Sequence, residues 1–334
     1  MSPFFSVIVP VYNRRDEIFD LLQSLMACDT SLFEIIVVED GSSIPCADIV
    51  QQFIDKGIDA KYYFKANEGR SIARNYGLEQ AQGSYFLFFD SDCVIPKDYF
   101  NRVKTALDNN PIDCFGGPDA AHESFSDLQK AISCSMTSFI TTGGIRGGKV
   151  SMEKFTPRTF NMGFSRQVWN KVGGFREMFS EDIDMSTRIK NAGFSIGLIP
   201  DAPVYHKRRV SLPKFWRQVY VFGMSRITLY LLYPESLKIV HFAPAVFLFG
   251  SIILILLSVL WRWWCIIPLL VYLVALFVSG TISLRSLKLG ALSVVTSIVQ
   301  LCGYGAGFIK AFVEKIIFRK QRNIEEEILI RRGK

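Results

Sequence analysis

Two carboxylates one residue apart, Asp90 and Asp92, follow directly on the apolar run Tyr85-Phe86-Leu87-Phe88-Phe89. A buried strand ending in such a pair can hold a divalent cation at the edge of a sheet. Alternation along an extended chain sends Asp90 and Asp92 to the same side. There they can share Mg²⁺ or Mn²⁺, hard cations that prefer oxygen ligands and often keep phosphate oxygens in their shell. An Asp-Ser-Asp turn bonding its own backbone uses the same residue types. Two more polar clusters, Tyr12-Asn13 and Glu39-Asp40, also close apolar runs, and that convergence favours a metal-and-nucleotide site over a turn alone. A further acidic set, Glu181-Asp182-Ile183-Asp184, follows Ser180, a good N-cap, where acids complement the helix dipole.

The elements that must carry these groups alternate. Strands are predicted over Phe5–Val11, Glu34–Val38, Lys61–Lys65 and Tyr85–Phe89. Helices are predicted over Arg15–Ala27, Asp48–Gly57, Ser71–Ala81 and Lys97–Asn109. Such single-file alternation implies an α/β fold with a mainly parallel, Rossmann-like sheet and ligands at the carboxyl ends of its strands. From Ala121 to Phe155 the pattern weakens into a Ser/Thr/Gly-rich stretch that reads as a loop lining the site. Within it, Gly143-Gly144-Ile145-Arg146-Gly147-Gly148-Lys149-Val150 nearly spells a P-loop. Val150 stands where the metal-binding Ser/Thr belongs and no buried strand precedes it, so the segment reads as a glycine-rich substrate loop. Thr159–Ser165 and a short helix over Gln167–Gly174 follow.

The last third of the chain differs in kind. Phe242–Trp261, Trp263–Leu284 and Leu289–Ile309 are charge-free. Each is long enough to cross the roughly 30 Å hydrocarbon core as a helix. Residues 1–235 hold 26 Lys and Arg against 27 Asp and Glu, whereas residues 236–334 hold 12 against 4. The basic excess therefore lies beside the apolar segments, where it suits anionic headgroups. No basic face for nucleic acid is evident on the first part. Seven scattered cysteines without a Cys-x-x-Cys pair fit reduced thiols in a cytosolic setting. No signal peptide is expected, because the run Phe4–Val11 is short and ends in Tyr12-Asn13-Arg14-Arg15. The expected organisation is a cytoplasmic domain over 1–211 and an amphipathic interfacial helix over 212–236. Membrane helices follow at about 237–261, 263–284 and 289–311, within 237–313, then a tail over 314–334. Three crossings would put that basic tail outside, against the positive-inside rule, unless one segment is re-entrant or interfacial.

Assembled in order, these residues resemble glycosyltransferase family 2, inverting nucleotide-sugar-dependent enzymes of GT-A fold. The resemblance covers about residues 5–230. Its motifs are Ser6–Asn13, Ile36–Ser42, Gly69–Gly77, Phe89–Asp92, Asn161–Phe164 with Gly173-Gly174-Phe175, and Glu181–Asp184. It implies that Pro10, Tyr12, Asn13, Glu39, Asp40, Arg74, Asn75 and Asp90 bind the nucleotide. It further implies that Asp90, Asp92 and His206 hold Mg²⁺ or Mn²⁺, with Asp182 as general base and Glu181 beside it. Asn161, Met162 and Gly163 are implied on the acceptor side. The Gln-x-x-Arg-Trp motif of processive synthases is missing from Phe215–Tyr220, which favours single transfer.

The resulting expectation is a multi-pass enzyme of the inner (cytoplasmic) membrane. It would move a sugar from a UDP- or GDP-sugar to a lipid-linked or glycan acceptor in surface polysaccharide or glycoconjugate synthesis. Polyprenyl phosphate as acceptor is the alternative within enzymes. A non-catalytic nucleotide-sugar-binding membrane scaffold is the alternative outside them.

Overall fold

The structure, a computed structural model, describes residues 3–120, 125–142, 155–206 and 211–318. These residues fall into two compact units, 3–120 with 155–206 and 125–142 with 211–318. The expected boundary at residue 211 therefore has an exception. Residues 125–142, read from sequence as part of the first domain, belong to the second unit.

In chain order the first unit opens with β1 (Phe5–Val11), α1 (Arg15–Met26), β2 (Phe33–Asp40), α2 (Ala47–Ile54), β3 (Ala60–Lys65) and α3 (Arg70–Gln80). Next come β4 (Tyr85–Phe88), β5 (Cys93–Val94), α4 (Tyr99–Asn109), β6 (Cys114–Gly116) and β7 (Asp119–Ala120). After the residues of α5 (Asp127–Thr137) and α6 (Phe139–Thr142), it resumes with β8 (Met162–Ser165), α7 (Arg166–Val172), α8 (Glu181–Asn191), β9 (Ile196–Leu198) and β10 (Val204–His206). The main sheet has the order β3-β2-β1-β4-β8-β6-β9. Strands β3, β2, β1 and β4 are mutually parallel, as are β6 and β9, and β8 runs antiparallel between β4 and β6. The mainly parallel α/β reading holds.

Both faces of this sheet are covered, which is why its strands read as continuous apolar runs rather than alternating ones. Val7, Val9, Ile35, Val37 and Leu87 pack with Leu21, Leu22, Leu25, Val103 and Leu107 on one face. Ile8, Ile36, Val38, Phe86 and Phe88 pack with Ala73, Leu78, Met185 and Ile189 on the other. A second, small sheet of order β5-β10-β7 sets His206 opposite Cys93.

The second unit is helical. Its longer elements are α9 (Leu212–Leu232), α10 (Ala243–Leu260), α11 (Ile267–Leu284) and α12 (Leu287–Phe312). Three stretches, Ile239–Leu260, Trp263–Leu284 and Leu287–Ile317, are long and apolar enough to cross a membrane. Small residues let their neighbours approach closely. Gly303 and Gly307 of α12 face Val219 and the Tyr220 backbone of α9, and Gly223 of α9 faces the Tyr304 carbonyl.

Where a loop was expected across 121–155, α5 forms. Its N-cap Ser126 accepts from the Gln129 N–H while the Gln129 side chain accepts from the Ser126 backbone, a full capping box. The helical period was obscured because Ser133 and Ser135 share the buried positions with Ala131, Ile132 and Met136. The near-P-loop at 143–150 lies outside the described residues.

Asn161, Met162 and Gly163, expected on the acceptor side, are placed beneath the surface. The Asn161 amide donates to the Ala202 carbonyl (3.0 Å) and its oxygen accepts from the Tyr99 hydroxyl (2.6 Å). Met162 is fully buried, and a Cβ on Gly163 would collide with the Phe115 ring. Gly163→Ala is accordingly expected to destabilise the first unit by about 1–3 kcal/mol through overpacking. Thermal unfolding measures this, and the acceptor KM should stay unchanged in the surviving folded protein.

Candidate active site

Arg74 on α3 joins the separate parts of the site. It is 1% exposed. Its guanidinium donates to Asp90 at 2.7 Å and to Glu181 at 2.9 Å, tying the end of β4 to the first turn of α8. Glu181 also accepts from Arg70 at 2.8 Å. The Arg70 pKa is raised, chiefly by Glu181 working against desolvation, with Asp90 and Asp182 adding to it. One guanidinium thus feels three carboxylates from two distant stretches of chain. Glu181, expected beside the base as a catalytic group, is 2% exposed and held between Arg70 and Arg74.

Asp182 turns the other way. Its Oδ2 accepts from Arg158 at 3.0 Å and its Oδ1 from the Ile183 N–H at 2.9 Å. Burial works against its ionisation, yet Arg158, that N–H and Arg70 outweigh burial and hold its pKa below the usual carboxylate value. The third acid, Asp184, is fully buried against Arg176 and Arg188. Each acid of this turn has its own arginine partner. Ser180, at φ +63°, makes no side-chain cap despite its residue type.

On the other side, Asp92 and His206 meet, with Nε2 to Oδ1 at 3.1 Å. The imidazole stacks on Phe160, with ring centroids 4.6 Å apart, and this fixes its plane. Oxygen and nitrogen ligands in adjacent corners of an octahedron at about 2.1 Å stand about 3 Å apart, so this pair is spaced for one shared cation. Ligand atoms of Asp92, Cys93 and His206 lie within 4.8 Å of one another. Cys93 does not suit the role. Its burial, with the charges of Asp92 and Asp90, keeps it a protonated thiol, and its Sγ points to the Phe160 carbonyl. Asp92 and His206 therefore offer an oxygen and a nitrogen donor that suit a divalent ion, while Asp90, two residues earlier, is engaged by Arg74.

The nucleotide-side residues divide. Tyr12 is half exposed and Pro10 partly so, at the carboxyl end of β1. Asn13, at φ +52°, accepts from the Ser43 N–H and hydroxyl, both at 2.9 Å, and so joins the loops after β1 and β2. Glu39, Asp40 and Asn75 turn inward. Glu39 is fully buried and accepts from the Ser42 hydroxyl, the Cys46 N–H (2.7 Å) and the Tyr62 hydroxyl (3.2 Å). Asp40 accepts from Lys65 (2.8 Å) and from the Glu68 and Gly69 N–H groups, holding the entry to α3. Asn75 bonds both backbone groups of Phe175 and crowds Gly174, which therefore needs to be glycine.

The family model for glycosyl transferase family 2 matches residues 6–182. The chain belongs to that family. This family 2 glycosyltransferase is 26% identical to the glycosyltransferase AglE of Haloferax volcanii over 266 residues, 72% of the chain and 82% of AglE. TuaG of Bacillus subtilis, named for teichuronic acid biosynthesis, is 43% identical over 103 residues, 30% of the chain and 40% of TuaG. The chain thus covers less than half of TuaG. Among solved structures it is similar to mannosyltransferase PcManGT of Pyrobaculum calidifontis, which is in complex with GDP-Man and Mn²⁺. The TM-score is 0.59 at 18% identity, over 94% of this chain and 88% of that one. The likeness establishes a GT-A fold.

Three residues of the enzyme's site escaped the sequence reading. Arg158 and Arg14 lie outside the quoted motifs, and Arg70 lies inside one without an assigned role. Arg14 precedes α1 beside Asp92 and Asp90. The available signal was charge balance, since four buried or half-buried acids need cations.

Arg74→Met should lower stability by about 3–5 kcal/mol, because Asp90 and Glu181 lose a buried partner. Chemical denaturation measures this. For Arg158→Gln the sign is set by the lowered pKa of Asp182. That carboxylate supports activity above its pKa and loses it as pH falls through that value. Removing Arg158 raises the pKa, so the acidic limb of the kcat/KM profile should move to higher pH. An unmoved limb would detach Asp182 from the titrating step.

Proposed function

We propose that this glycosyltransferase is membrane-bound and metal-assisted, and transfers a sugar with inversion from a nucleoside-diphosphate sugar to a lipid-linked or glycan acceptor. The assembly of surface polysaccharide or glycoconjugate is the proposed setting. The observation that carries the reading is that Asp90 and Glu181, ninety-one residues apart, share the Arg74 guanidinium, with Asp182 following Glu181 and Asp92 paired with His206. The PcManGT complex with GDP-Man and Mn²⁺ supports such a donor and ion on this fold. TuaG, by its name, supports a polysaccharide setting.

The chemistry follows from which groups carry charge. Breaking a glycosyl–diphosphate bond builds negative charge on the leaving phosphate. A divalent ion bound by Asp90, Asp92 and His206 would stabilise that charge as a Lewis acid. Arg14, beside the same two aspartates, adds a cation on that side. Asp182 is ionised near neutral pH and accepts the proton of the acceptor hydroxyl, a contribution of about 10²–10⁴-fold. A single base with in-line attack inverts the anomeric centre. The helices of residues 239–317 would hold this chemistry at a bilayer surface, where a lipid-linked acceptor presents its head group.

Asp182→Asn should cut kcat by about 10²-fold or more while leaving nucleoside-diphosphate affinity nearly intact, as read by calorimetry with Mg²⁺ or Mn²⁺. Asp92→Ala should weaken that affinity only when the metal is present. Wild-type turnover that survives EDTA would sink the metal reading and leave Asp90-Ser91-Asp92 as a structural turn.

A further inference from the structure

The segment carrying α5 and α6 has features that a water-exposed loop has no use for. From Ala131 to Thr142 it contains no charged residue. Phe139 is 76% exposed and Ile140 37% exposed, although Ala131, Ile132 and Met136 are buried. The hydroxyls of Ser135, Thr137, Thr141 and Thr142 all donate to carbonyls three to six residues back in the same segment. Serine and threonine bond back in this way in helices generally, and hydroxyls satisfied so need no water.

Its contacts descend along the apolar helices in order. Asp127 pairs with Lys288 at 2.7 Å, at the head of α12 and beside the charged turn at Arg285. Thr296 donates to the Ala131 carbonyl at 3.1 Å, and Cys134 lies beside Ser283. The Tyr272 hydroxyl donates to the Ile140 carbonyl at 3.1 Å. Tyr272 stands twelve residues before Leu284, about 18 Å along α11 at 1.5 Å per residue. An open groove of about 720 Å³ follows the seam, lined by Ile140 with Val271, Val274, Ala275, Val278 and Ile282. An element that flanks a membrane span at that depth shares its solvent.

We propose that residues 127–142 form a fourth membrane-embedded element, entering at the level of Arg285 and Lys288 and reaching towards mid-bilayer. Phe139 and the groove beside Ile140 then face lipid hydrocarbon. The inference rests on α10, α11 and α12 spanning a membrane. It extends the hydrocarbon-contacting surface beyond the C-terminal helices to a stretch spliced into the catalytic fold.

The test uses the full-length wild-type protein in vesicles of a phosphatidylcholine with a diazirine at mid-chain. After photolysis and trypsin, cleavage at Lys130 releases a peptide that begins at Ala131. Lipid adducts on this peptide should match those on the α11 peptide and exceed those on the α2 peptide at least about tenfold. Adducts on α11 with none on the Ala131 peptide would overturn the proposal and leave the spans standing. Adducts on neither would overturn the membrane reading and the proposal with it. In the same vesicles, Phe139→Cys should react with a membrane-impermeant maleimide at least about tenfold more slowly than Cys placed at exposed Gln52. Equal rates would also overturn it.

Discussion

A buried guanidinium that cannot be left unpaired organises this catalytic unit. Removing Arg74 from water costs several kcal/mol unless its charge is matched and its donors are used. Asp90 and Glu181 match that charge through Nη2 and Nη1, while Nε stays without a partner among the described residues. The strand end that carries the metal-side acids and the helix turn that carries the candidate base are therefore held through one side chain. Asp92 follows Asp90 by two residues and Asp182 follows Glu181 by one, so both candidate carboxylates inherit their positions from pinned neighbours. Asn75, next to Arg74, fixes the chain at Phe175 just before α8. Helix α3 thus serves as the fixed reference for both halves of the site.

This explains which parts of the site were legible. Strands β1, β2 and β4 are buried on both faces and need long β-branched or aromatic runs, so their ends, and the polar residues there, could be read directly. The short strands β5, β7 and β10 have two or three residues each, too few for any periodicity. The place of His206 beside Asp92 depends on two of them, and in sequence it rested on family resemblance alone. A carboxylate that touches a ligand and one that holds the loop touching the ligand have the same type and the same spacing. Glu39, Asp40, Glu181 and Asn161 all have hydrogen-bond partners within the fold, backbone groups and side chains up to 111 residues away. Only the path of the whole chain distinguishes the two.

Composition misled at α5 for a related reason. Serine and threonine are weak helix formers in water because they compete for the backbone, so a Ser/Thr-rich stretch reads as loop. Beside the apolar helices α11 and α12 the same hydroxyls bond back to carbonyls of their own segment. Small side chains then become an asset, since they admit the close approach seen also at Gly303, Gly307 and Gly223.

The same kind of competition governs the proposed base. A carboxylate paired with an arginine is reliably ionised but is a weaker proton acceptor, because what stabilises the anion also lowers its pKa. Asp182 stands in that position, with Oδ2 on Arg158 and Oδ1 on the adjacent N–H. Each oxygen keeps a second lone pair, so an acceptor hydroxyl can share Oδ2 without first displacing Arg158. If the guanidinium stays, the base is always ready and only moderately strong. If an acceptor draws Arg158 away, the base strengthens at the moment a hydroxyl is present to be deprotonated. Arg158 is a quarter exposed, at 26%, and Asp182 14%, so burial adds to what the exchange costs. The pairing therefore keeps Asp182 charged while the site is empty and leaves its basicity to be set by what binds next.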